Sequence, residues 1–259
     1  MPSDTSEITP DTINNLNRRY QDEDADIILV ASDGLRFRVH SYQLRAHSSV
    51  FRSMLELCDS SHEIILTDDD IEASDIVCLY LDLSMGHEPD LEATGMVQLG
   101  IRCRRLGDFL AKYDAASAKQ TFIYALYRWV ELEIVSSERV FVVAARMDNR
   151  DLCIAALKKG LSWEWKNVAS SDEETQAGYA GHSIFDLSAA PLWMIKLTPP
   201  TYTLALMRQC RKIGKGMSNE VKNGVIQGFR IELDLLTFQD LCQTLEEGTG
   251  GDSSKGIDI

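Results

Sequence analysis

The chain has 259 residues, 44% of them hydrophobic and 25% charged, which is enough to bury one substantial core or a core with a helical extension. Its net charge of -14 and sequence pI of about 4.8 make a field that repels phosphate backbones, so direct nucleic-acid binding is not expected. No stretch approaches the ~18 uninterrupted apolar residues of a membrane span, and residues 1–26 lack the apolar centre of a signal peptide. The six cysteines (Cys58, Cys78, Cys103, Cys153, Cys210 and Cys242) form no Cys-x-x-Cys pair. Together these features predict a reduced cytosolic or nuclear protein with no membrane partner, no cofactor and no zinc site.

Residues 1–21 are polar and read as a flexible leader, with order expected to begin at Asp26. Ile27-Ile28-Leu29-Val30 is a β-branched run that predicts a strand buried on both faces. Asp33-Gly34 then signals a hairpin turn, because glycine tolerates positive φ. Leu35, Phe37 and Val39 alternate with Arg36, Arg38 and His40, giving a second strand with one buried face. Ser41 is placed to cap a short helix through about His47, and Val50, Phe51, Met54 and Leu55 fall at helical spacing in the next. Ile64-Ile65-Leu66 predicts a third strand, followed by the acidic run Asp68-Asp69-Asp70. From Ser74 the pattern returns to helix, with Ile76, Leu79, Tyr80 and Leu83 on one face, broken at Gly86 and Pro89.

The remainder reads as almost wholly helical. Leu106, Phe109, Leu110 and Tyr113 mark one helix, and Phe122, Leu126, Trp129 and Val130 the next. Val140, Val143, Ala144 and Met147 mark a third, and residues 149–159 a fourth. Residues 162–183 are polar and predict a loop; helix resumes after Pro199-Pro200 through Tyr202, Ala205, Leu206 and Gln209. Residues 213–228, rich in glycine and charge, read as a linker before a short amphipathic helix carrying Phe238, Leu241, Cys242 and Leu245 and a disordered tail.

The segment from Asp26 to Leu55 resembles the signature of the BTB/POZ domain family. It has an Asp opening the first strand, Phe37-Arg38-Val39-His40 closing the second, and then Leu44, Ser48, Phe51 and Met54-Leu55 in paired helices. Leu110-Ala111-Lys112-Tyr113-Asp114 is similar to the stretch that closes such domains, and residues 140–157 to the helical extension that follows them in fungal members. The resemblance implies an α+β fold: a small mixed sheet flanked by helices, followed by a mostly α-helical C-terminal region. The resemblance covers roughly residues 22–160; together with the element pattern it divides the chain into the leader at 1–21, a BTB/POZ domain at 22–115, a BACK-like extension at 116–212, and a linker, short helix and tail at 213–259.

It also implies a scaffold or adaptor that associates with itself and with protein partners, and no enzyme. Two variants of that role are a substrate adaptor of a cullin-3 ubiquitin ligase and a transcription co-regulator acting through a partner. The interface of a homodimer would draw on Ile28, Leu44, Val50, Phe51, Met54 and Leu55, because a small sheet cannot cover all the apolar surface of the helical pair. Asp26 and His40 would be structural, with Asp26 the candidate hydrogen-bond partner of His40. Many dimeric relatives pair the strand-opening Asp with a basic residue after the His, but here that residue is Ser41. The loop Met85-Gly86-His87-Glu88-Pro89-Asp90 carries a cullin-type triplet only with its spacing off by one.

No constellation of catalytic groups stands out. Residues 213–218 lack phosphate-loop spacing, Gly181-His182-Ser183-Ile184-Phe185 lacks the closing glycine of a nucleophile elbow, and the acidic run has no calcium-loop pattern. A hydrolase or transferase would need polar groups that meet only in three dimensions. The basic clusters Arg102/Arg104/Arg105 and Arg208/Arg211/Lys212/Lys215 read as exposed helix faces. Trp163, Trp165, Trp193 and Met194 read either as core or as an aromatic anchor for a partner.

Overall fold

The computed structural model describes residues 20–57, 62–87, 96–166, 170, 172–209, 213 and 218–249, of which 96–97 and 238–249 by backbone alone. The chain forms two compact units, one ending at Val135 and the other beginning at Ser136.

The first unit is built on a three-stranded mixed sheet of order β2-β1-β3. Strands β1 (Ile27–Val30) and β2 (Arg36–Val39) form the antiparallel hairpin, turning at Gly34 with φ 85°, where any side chain would be strained. β3 (Glu63–Ile65) joins the other edge of β1 in parallel, with Leu29 opposite Ile64. β1 is therefore central, yet it is fully buried on one face only: Ile27 and Leu29 enter the core, while Ile28 and Val30 are half-buried. The outer face is lightly covered, in part by the ion pair Arg36–Glu63 at 2.8 Å. Order also begins earlier than Asp26. Tyr20 is buried, its carbonyl accepts from the Arg38 N–H at 2.9 Å, and its hydroxyl donates to buried Asp82 at 2.6 Å. Residues 1–19 lie outside the described residues.

Helices α1 (Ser41–His47) and α2 (Ser49–Leu57) follow β2, and α3 (Ser74–Met85) follows β3. The spacing of Ile76, Leu79, Tyr80 and Leu83 predicts one buried face, but every residue from Ser74 to Leu83 is buried, so α3 is the central helix of the unit. It stops at Gly86, whose φ of 72° caps the last carbonyls. α4 (Met96–Lys112) and α5 (Ala116–Glu131) pack beside it. An aromatic cluster joins the layers: Phe51 stacks on Tyr113 at 4.3 Å, Tyr113 meets Phe109 at 4.4 Å, and Phe109 meets Tyr80 at 5.1 Å.

The second unit is helical: α6 (Ser137–Arg146), α7 (Arg150–Gly160), α8 (Leu192–Leu197), α9 (Pro200–Gln209) and α10 (Asn219–Thr249). α9 begins with Pro200 in its first turn, where a missing N–H costs nothing. The segment between α7 and α8 is the predicted loop, with a short 3-10 turn at Glu173–Thr175. One expectation fails. Residues 219–228 are not a linker but the start of the 31-residue helix α10, which buries Val225, Ile226, Phe229, Leu233 and Leu236. Gly224 and Gly228 lie inside it, and a Cβ on Gly228 would stand 2.3 Å from the Gln209 side chain. The close approach of α9 overrides the poor helix propensity of glycine. The tail from 250 onward lies outside the described residues.

Candidate protein-interaction site

Asp26, His40 and the six residues expected at the interface all lie among the described residues. Asp26 sits at the mouth of β1, and its carboxylate accepts from the Ser41 N–H at 2.7 Å and from Ser41 Oγ at 2.5 Å. Ser41 is thus not the cap of α1. His40 holds the cap position without a side-chain bond, and Asp26 from the neighbouring strand serves the first turn instead. Burial pushes the Asp26 carboxyl up, but the bonds from Ser41, a bond from its own backbone N–H and the nearby His40 together hold the group below the usual carboxylate range. His40 does not bond Asp26: its Nε2 faces Asp22 Oδ2 at 3.0 Å, and its ring stacks on Tyr42.

The helical pair divides its apolar residues between two faces. Leu44, Phe51 and Leu55 are 1%, 0% and 8% exposed and belong to the unit's own core, so they are not surplus surface. Val50, Met54 and Leu57 lie at i, i+4 and i+7 along the other side of α2, where Val50 is half-buried, Met54 38% and Leu57 85% exposed. The four residues Val50, Phe51, Met54 and Leu55 are therefore two adjacent stripes rather than one. Leu57 was the missing signal: it extends the second stripe by one turn and has no place in the first. Tyr42 on α1 and Ile65 on β3 are also exposed, and Ile28 is half-buried on the outer sheet face.

The basic cluster on α4 is not an exposed helix face. Acids of three elements receive it: Asp70 of the loop before α3 takes Arg104 and Arg105, each at 3.1 Å, Asp108 of α4 itself lies 3.3 Å from Arg104, and Asp75 of α3 pairs with Arg102 at 3.0 Å. At the base of the loop Glu72 is buried and accepts from Thr67 and Asp68 N–H groups, from Tyr113 Oη at 2.6 Å and from Lys112 Nζ at 2.6 Å. Burial pushes the Glu72 carboxyl up, and these four donors overcome it, leaving it below its ordinary value. Arg104 holds Asp70 low in the same way. Lys112-Tyr113, read only as the end of a motif, is thus the tie between the loop and the aromatic core.

The other candidates resolve into structure. Ser183 is buried and donates to the Leu161 carbonyl at 3.1 Å, which removes it as a nucleophile. Trp165 and Trp193 are core, with the Arg139 guanidinium 3.6 Å over the Trp193 ring, while Trp163 is half-buried. Among the described residues no group of three His, Cys, Asp or Glu could hold a metal ion, and no helix is long and apolar enough to cross a membrane. Arg208 pairs with Glu232; Arg211, Lys212 and Lys215 lie outside the described residues, as does the loop weighed for cullin-3 beyond His87.

Comparison with known proteins agrees with this geometry. A model of the BTB/POZ domain family matches residues 14–81, a stretch that contains the whole sheet, α1, α2 and most of α3. No curated protein matches the chain. With the hairpin, the paired helices, the parallel third strand and the buried helix in the order that the signature from Asp26 to Leu55 implies, the first unit of this chain contains a BTB/POZ domain, a protein–protein interaction module.

Proposed function

We propose that the chain associates with itself and recruits protein partners in the cytosol or nucleus, as an assembly factor with no catalytic step. The observation that supports this is the second stripe of α2. Phe51 and Leu55 already anchor the helix in the core, yet Val50, Met54 and Leu57 continue as apolar surface facing water. Covering such surface is favourable by about 25 cal/mol per Å². A second copy can supply the same stripe across a twofold axis, an isologous contact that closes on itself. Leu44, Phe51 and Leu55 then act from beneath, by fixing the helix, and Ile28 contributes from the outer sheet face. The helices of the second unit would serve as a BACK-like extension that carries a further partner.

Light scattering on the full chain at micromolar concentration tests the reading. A dimer is expected for the wild type and a monomer for Met54→Asp with Leu57→Asp, with an unchanged circular dichroism spectrum because neither side chain enters the core, and a melting temperature lowered only by the loss of the contact between copies. A monomeric wild type, or a dimer indifferent to both substitutions, refutes it.

A further inference from the structure

We propose that Arg45 and Arg52 form a cationic corner that receives the carboxylates of an acidic segment of a partner protein. The two side chains meet where α1 and α2 cross. Arg52 Nε and Nη2 donate to the Arg45 carbonyl at 3.0 and 2.8 Å, and Arg45 Nη2 donates to the Leu55 carbonyl at 3.4 Å. Both residues are exposed. On α2, Arg52 lies on the flank turned toward α1, and Val50 and Leu57 on the opposite one, so the corner is a surface separate from the apolar stripe.

What sets these arginines apart is their lack of a carboxylate. The first unit carries 24 acidic against 12 basic residues, and five of its described cations are held in ion pairs: Arg36 by Glu63, Arg102 by Asp75, Arg104 and Arg105 by Asp70, Lys112 by Glu72. Among the described residues no acid forms an ion pair with Arg45 or Arg52, and Glu56, one turn on from Arg52, pairs with neither. Arg38 also lacks a carboxylate, but it belongs to the sheet.

The main-chain carbonyls hold the guanidiniums in place while leaving further N–H donors on each fork free for a carboxylate. Such preorganisation lowers the ordering cost of binding. The charge of the corner argues against a second copy docking there face to face, because guanidinium would meet guanidinium. The net charge of -14 argues against nucleic acid, whose repulsion accumulates along every phosphate. A short acidic segment confined to the corner escapes most of that field beyond a screening length of about 8 Å.

The proposal rests on the first unit being an interaction module. It is tested by titrating the full chain against fluorescein-labelled hexaglutamate, with hexalysine and a single-stranded oligonucleotide as parallel probes, and reading anisotropy. Saturable hexaglutamate binding is expected, weakened roughly tenfold or more by Arg45→Glu with Arg52→Glu. Lys158→Glu with Lys166→Glu, the same charge change on exposed residues of the second unit, should leave it intact. Arg45→Gln with Arg52→Gln, checked for an unchanged melt, should weaken it without a reversed charge. No binding by the wild type, equal loss in the lysine pair, or tighter binding of the oligonucleotide overturns the proposal. Met54→Asp with Leu57→Asp should leave peptide binding unchanged. A monomer that still binds hexaglutamate sinks self-association alone, and a dimer that does not bind it sinks the corner alone.

Discussion

The two units solve the same problem, satisfying buried polar groups, with different chemistry. In the first, charged side chains meet charged side chains far apart in sequence. Asp70 and Glu72 from the loop before α3 bind Arg104, Arg105 and Lys112 of α4, and Tyr113 joins this network to the ring of Phe51. In the second, three buried side chains turn instead to main-chain carbonyls. Arg139 donates to Glu174 O, Trp193 Nε1 to Gln176 O at 2.8 Å, and Ser183 Oγ to Leu161 O. The charge follows this division, with 24 acidic to 12 basic residues in the first unit and 16 to 14 in the second. A carbonyl does not titrate and a carboxylate does, so pH and charge substitutions should act on the units unequally.

The largest effect is expected from Phe51→Asp. It places a charge in the fully buried aromatic cluster and should cost well over ~4 kcal/mol, enough to abolish cooperative unfolding of the first unit in urea. Soluble protein with a wild-type midpoint would show that Phe51 is not core. Glycine substitutions sharpen the contrast between strain from packing and strain from backbone. In the second unit a Cβ on Gly178 would stand 2.3 Å from Trp165 Nε1 and 2.4 Å from the Ala189 carbonyl, so Gly178→Ala should cost about 1–3 kcal/mol. Gly34→Ala in the first unit meets open space and should cost only roughly 1 kcal/mol, for its positive φ. Thermal melts that reverse this order would contradict the packing described.

Acid should weaken the first unit by way of Asp26, Asp70 and Glu72, all held below their ordinary values. Their stabilisation is complete above the unfolded carboxylate values and is lost as pH falls through the lower folded ones. Glu72→Gln should therefore cost roughly 1–3 kcal/mol at neutral pH and much less in acid. Equal cost at both would mean the carboxylate charge is idle. Glu138 in the second unit has the opposite sign: burial raises its pKa against the hydrogen bond from Ser136, so protonation relieves it. Glu138→Gln should give a small gain at neutral pH that fades as pH drops, the smallest of these effects. A loss at neutral pH in paired melts would reverse the assignment.

How much could be read without coordinates varied with how local the physics was. The hairpin, the paired helices and the third strand were legible because period-two alternation, Asp33-Gly34 and the signature from Asp26 to Leu55 act over a few residues. The outcome for Leu44, Phe51 and Leu55 was not. Helical spacing places them beside Val50 and Met54, but only the position of α3 and Tyr113 decides which stripe is covered. The start of α10 does not read as helix for a related reason: two glycines and scattered charge weaken helix propensity locally, and the side chain that approaches Gly228, Gln209, lies on another helix.

The sequence alone determined the order and type of the elements in the first unit and its kinship with BTB/POZ domains, because backbone periodicity and turn chemistry are properties of neighbouring residues. Tertiary structure decided that the acidic loop takes Arg104 and Arg105 of α4, that Asp26 rather than Ser41 serves the first turn of α1, and that Val50, Met54 and Leu57 are the stripe left outside. Each of these depends on which side chains the fold brings within a few ångströms, a distance that spacing along the chain does not encode.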